Sequence, residues 1–124
     1  MTEDQNITLN KTMTKTPRDI AIAQLAAYNN CDLDAFCALF AADAVLTDLP
    51  SGQVVATGIT AIREMYKRRF ATPDLHCKVH ATNDIGDFAI DRETVYGLPD
   101  GPMDVVAMYE VKGGLIQRVF FIRG

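Results

Sequence analysis

Apolar residues recur every three or four positions between residues 17 and 70, interrupted by one short strand-like run. From residue 75 onward they recur every second position. The change of period separates a helical portion from a strand portion. Thr16-Pro17-Arg18-Asp19 has the form of a helix start: a capping hydroxyl, a proline at the first helical position, and an acid where a capping box places one. Ile22, Leu25, Ala26 and Asn29 then follow helical spacing, with Ala21, Gln24 and Tyr28 on the adjacent stripe, and Asn29-Asn30 closes the helix. Asp32 caps a second helix, in which Leu33, Phe36 and Phe40 repeat on one face. A strand is predicted over 44–48, ending at Asp48-Leu49-Pro50, and Ser51-Gly52 makes a turn. A third helix opens after Gly58 with Ile59, Ile62, Tyr66 and Phe70 on one face and Arg63, Glu64, Lys67 and Arg68 on the other, and Thr72-Pro73 ends it.

In the strand portion, Leu75, Cys77, Val79 and Ala81 alternate with His76, Lys78 and His80. Gly86-Asp87, residues 99–102 and Gly113-Gly114 punctuate three further strands over 88–96, 103–111 and 115–122. The expected order is ααβαββββ, an α+β fold with its helices segregated to one face of a mostly antiparallel sheet. At 124 residues the chain is expected to form a single domain over 16–124, with residues 1–15 as a flexible tail.

Composition narrows the function classes. The apolar fraction of 48% and charged fraction of 23% are ordinary for a globular protein. A net charge of −4 disfavours nucleic acid and anionic membrane as partners. No apolar run approaches the length of a membrane span, and the polar N-terminus lacks the apolar core of a signal peptide. Three cysteines without a CxxC pair fit neither a disulfide framework nor a zinc site, and point to a reducing, cytoplasmic setting. His76 and His80 lie about 13 Å apart along a strand, too far to share a metal, so neither metal nor cofactor is expected. A single serine, Ser51, sits in a turn, and no phosphate-binding glycine loop or serine-nucleophile motif occurs.

The chemistry-bearing residues are acids and aromatics. Asp48, at the end of an apolar strand, is a candidate base at the mouth of a pocket; it equally suits a turn cap. Asp91 and Glu93 share one face of their strand, while Phe88, Ile90, Arg92 and Thr94 take the other, and alternation alone does not say which face is inside. If the acids point inward they need a cation, for which Arg118 on the last strand is the natural source. Tyr28, Tyr66, Tyr109 and Phe120 are the expected ligand-contacting aromatics.

The runs DLDAFCALFAADAVLTD, GITAIREMY and YEVKGGLI, in this order of elements, resemble the nuclear transport factor 2-like superfamily, within it the SnoaL-like and steroid Δ-isomerase-like branch. The resemblance covers roughly residues 18–124. It implies a cone-shaped roll in which a curved sheet wraps the third helix around an apolar pocket, with homodimers formed through the sheet face. It implies a small apolar ligand and proton transfer beside a carbonyl, with Asp48 at the position of the family's base. The positions of the two oxyanion donors fall near Gln24 and Ala107, neither of which is such a donor; Tyr28 is one turn beyond Gln24. The alternatives are water activation on an epoxide by Asp91, Glu93 and Arg118, and a binding or dimerisation module without chemistry.

Overall fold

The structure, a computed structural model, describes residues 15–124. The tail expected over 1–15 lies, but for Lys15, outside the described residues. Helices α1 (Pro17–Asn29) and α2 (Leu33–Cys37) precede strands β1 (Phe40–Leu49) and β2 (Gln53–Thr57). Helix α3 (Ile59–Phe70) follows, and then β3 (His76–Thr82), β4 (Phe88–Tyr96), β5 (Met103–Lys112) and β6 (Leu115–Arg123). The six strands form one sheet in the order β2-β1-β6-β5-β4-β3, antiparallel except where β1 runs parallel to β6. The three helices cover its inner face, giving the expected α+β roll.

Local chemistry explains most element boundaries. Thr16 and Asp19 form a reciprocal capping box at the start of α1. The Asp32 side chain accepts from the Ala35 N–H at the start of α2. Lys67, Arg68 and Arg69 occupy the last turn of α3, where cations suit the negative end of the helix dipole. Gly97 follows β4 with φ of 93°, and a Cβ there would come within 2.6 Å of the Asp74 carbonyl oxygen, so only glycine fits.

Three expectations are corrected. Residues 53–57, read only as a connection, form β2, which hairpins onto β1 with a bulge between Leu46 and Thr47. Phe40 does not continue the second helix but begins β1, where it pairs with Ile116 of β6, and the Ala-rich run after it lies within the same strand, across an irregularity that ends where Val45 pairs with Arg118. In α1 the buried stripe is Ile20, Ala21, Gln24, Ala27 and Tyr28, while Ile22 is exposed. The helix is rotated so that Tyr28 joins Phe36, Tyr66 and Phe70, with Tyr28 and Phe70 edge-on at 5.4 Å and Phe36 and Tyr66 at 4.4 Å between ring centroids. This aromatic cluster locks the helices together at one end of the cone.

Candidate functional site

A cavity of about 730 Å³ opens between the inner face of the sheet and helices α1 and α3. It is within the size range of small-molecule sites. Gln24 and Tyr28 reach it from α1, and Met65, Tyr66, Arg68 and Arg69 from α3. Cys77, Glu93, Val95, Met103, Val105, Tyr109, Phe121 and Arg123 come from the sheet, and the loop at 98–102 borders the mouth.

Strand register fixes which side chains face inward. β4 and β5 pair without a shift from Phe88–Glu110 to Val95–Met103. Ala89, Asp91, Glu93 and Val95 are buried, whereas Arg92 is exposed and Phe88 and Ile90 are half-buried. The acids therefore point inward, which the alternation in the sequence had left open. Phe88 faces outward instead, against Phe120, with ring centroids 6.4 Å apart.

The two acids have different surroundings. Asp91 is 1% exposed and accepts a 2.7 Å bond from Arg18 Nη1. Arg18, on the first turn of α1, also grips Asp84 through two nitrogens. Burial raises the Asp91 carboxyl above the usual carboxylate range, more than the Arg18 hydrogen bond lowers it. Glu93 is 7% exposed and lines the cavity. Among the described residues no cation forms an ion pair with it. Burial pushes it up to about 7, the Cys77 thiol opposing as a hydrogen-bond donor and Asp91 adding repulsion. The Cys77 thiol is itself driven upward by burial beside Glu93, so it stays protonated.

Arg118 does not bridge the two acids. It lies on the outer face, bound to Glu110 through two 2.7 Å contacts and placed over the Phe120 ring. An Arg alternating with Phe120 and Ile122 shares their outward face, so the trio expected from Asp91, Glu93 and Arg118 is not assembled. For the same reason Phe120 faces away from the cavity and Phe121 is the wall. Tyr28, Tyr66 and Tyr109 line the cavity.

Asp48 sits in the inward row Asp91–Ala107–Phe121–Asp48 that crosses the sheet. Three strand spacings, about 14 Å, separate it from Asp91. It does not line the cavity: its carboxylate, with a side chain 28% exposed, is bound by Arg123, whose guanidinium lies over the Phe121 ring. Gln24 faces the cavity and accepts a 3.2 Å bond from the Tyr109 hydroxyl. The Tyr28 hydroxyl accepts a 3.2 Å bond from Arg69 Nη1, which leaves its own proton to donate. Burial raises all three tyrosines, Arg69 opposing at Tyr28, so the phenols remain donors at neutral pH.

Sequence reasoning missed Arg18, Arg69, Arg123 and Cys77. Arg18 and Asp91 are 73 positions apart, and no periodicity links them. Arg123 was legible in principle, since it stands two residues beyond inward-facing Phe121. His80 is tied to Thr94 at 2.8 Å, and Thr94 donates to Asp104 at 2.6 Å, away from the cavity. Among the described residues no group of three or more His, Cys, Asp or Glu side chains is arranged to hold a metal, and no helix is long and apolar enough to cross a membrane.

The family model described as a SnoaL-like domain matches residues 21–119. A structure of an uncharacterised cystatin-fold protein from Novosphingobium aromaticivorans is 32% identical over 88% of this chain and 99% of its own, with a TM-score of 0.79. A candidate polyketide cyclase from Sinorhizobium meliloti is 27% identical over 83% of this chain and 93% of its own, with a TM-score of 0.73. A candidate ketosteroid isomerase from Kribbella flavida shares the fold at 23% identity, over 90% of this chain and 82% of its own, with a TM-score of 0.76. No curated protein matches the chain.

Proposed function

The chain belongs to the SnoaL-like domain family, and from that premise we propose that it binds a small, mostly apolar carbonyl compound and moves a proton beside the carbonyl, as an isomerase or cyclase does. The observation that carries this reading is Glu93: a buried carboxyl on a cavity wall, without a cation partner among the described residues and pushed up to about 7. A group so poised takes and returns protons at neutral pH. The proton role expected at Asp48 is assigned instead to Glu93, because Asp48 is held by Arg123 at the rim.

In this mechanism the Glu93 carboxylate removes a proton from the carbon next to the carbonyl. The C–H electron pair forms the enolate double bond, and the carbonyl π pair moves to oxygen. The Tyr28 hydroxyl, backed by Arg69, donates to that oxygen. Glu93 then returns the proton to carbon, at the same or a conjugated position.

The test is hydrogen–deuterium exchange at the α-carbon of cyclic enones and 1,3-diketones, followed by NMR in D2O. Exchange is expected to rise with pH through about 7, as Glu93 ionises. Glu93→Gln should lower it by at least ~10²-fold, and Tyr28→Phe by roughly 10²-fold. Asp48→Asn should leave it within a few-fold. Full exchange in Glu93→Gln sinks the assignment, and ligands that bind without any exchange in the parent protein make the domain a passive binder.

A homodimer through the sheet face remains part of the proposal. Its support is the outward row Ile90–Met108–Phe120, flanked by Val106 and Ile122, which the helices leave uncovered. The unpaired thiols of Cys31, Cys37 and Cys77 support a cytoplasmic setting.

A further inference from the structure

Three guanidinium groups line the cavity from exposed or half-buried positions, on its solvent side: Arg68 and Arg69 from the last turn of α3, and Arg123 from the end of β6. Their neutralisation is incomplete. Arg123 is paired with Asp48. Arg69 is oriented by a neutral partner, the Tyr28 hydroxyl. Among the described residues neither Arg68 nor Arg69 forms an ion pair with an acid, and Asp100 is the one acid that the mouth loop contributes to the lining. This excess of positive charge stands in a chain whose net charge is −4. The cavity below it is walled by Tyr66, Val105 and Phe121.

We propose that the occupant of this cavity carries a carboxylate, seated at the mouth on Arg68 and Arg69 with Arg123 beside them, while its apolar body runs inward over Tyr66 and Phe121 toward Glu93. Guanidinium groups bind carboxylates through paired, charge-assisted hydrogen bonds, and do so better beside apolar walls than in open water. The register places Glu93 and Arg123 in one cross-strand row with Val105 between them, so two strand spacings, about 10 Å, separate their backbones. A keto acid whose carbonyl lies several bonds from its carboxylate spans that gap, with the charged end kept away from the proton-transferring group. The inference names the substrate class for the reading above and rests on it.

The experiment is calorimetric titration at pH 8 and low salt of 1-naphthaleneacetate and its methyl ester, which share an apolar body and differ in charge. The acid is expected to bind at least ~10-fold more tightly than the ester, and to lose most of that advantage in 0.5 M NaCl as screening sets in. In the Arg68→Gln variant the preference should fall at least about three-fold while ester affinity holds, which shows that the cavity is intact. Should that variant fail to fold, the salt titration of the parent protein decides. Equal affinity for acid and ester, or a preference that survives both salt and substitution, overturns the carboxylate while leaving the cavity as a binding site. Binding of neither probe overturns both.

Discussion

Glu93 shows what one inward-facing acid does to a small domain. Its neutral form is favoured in the folded state because the cavity wall desolvates the charge, so folding raises it from 4.5 to about 7. The folded protein holds the proton over a range in which the unfolded chain has released it. Stability is therefore unpenalised below about 4.5, falls as pH rises from there to about 7, and stays lowered above. At 1.36 kcal/mol per pH unit the full penalty is on the order of 3 kcal/mol. Glu93→Gln removes it. Thermal unfolding should show the variant more stable than the parent at pH 8, with the gap nearly closed at pH 4.5. A gap independent of pH means that the carboxyl is not held neutral by the fold. The type and position of this acid were readable from FAIDRETVY, and so was its sharing of a face with Asp91. Its inward direction was not, because Phe88 and Ile90 are equally credible core residues and only the partner strands decide.

At the scale of elements, α1 is held to the sheet at both ends by side chains that bridge distant parts of the chain. At its C-terminus, the Asn29 amide donates to the Cys77 carbonyl at 3.0 Å and accepts from the Cys77 N–H at 2.8 Å, covering part of the free edge of β3. At its N-terminus, Arg18 reaches buried Asp91 on β4. Removing the arginine strands a carboxyl whose side chain is 2% exposed. Arg18→Ala is expected to cost about 3 kcal/mol at pH 7, as loss of one partner of a buried pair does. Denaturant titration measures it, and a loss below about 1 kcal/mol, the scale of surface ion pairs, would show Asp91 to be solvated. Asp91→Asn in the same background should restore part of the loss. The capping signals that start α1 and α2 were legible because each is local, spanning three residues. The strand β2 was not, since QVVAT is too short to show a period and forms only by pairing with β1.

Across the whole molecule, the sheet separates two environments: helices and cavity on one side, an uncovered apolar surface on the other. The rows Ile90–Met108–Phe120 and Val106–Ile122 lie beside the Arg118–Glu110 pair, so the surface is apolar at its centre and charged at its margin. Sedimentation equilibrium should show a dimer at micromolar concentration, and Met108→Glu should shift it to monomer without loss of secondary structure. A monomeric parent protein removes the dimer from the proposal. By itself the sequence determined the order of helices and strands, the caps and turns, the family, and the stock of acids and tyrosines, because each of these is written in residues a few positions apart. Only the tertiary structure decided that Glu93 rather than Asp48 meets the cavity, that Arg18 rather than Arg118 serves Asp91, and that Phe121 rather than Phe120 forms the wall. A one-residue step along a strand exchanges the two faces of the sheet, and the burial that sets one face inside is established by partners scores of residues away.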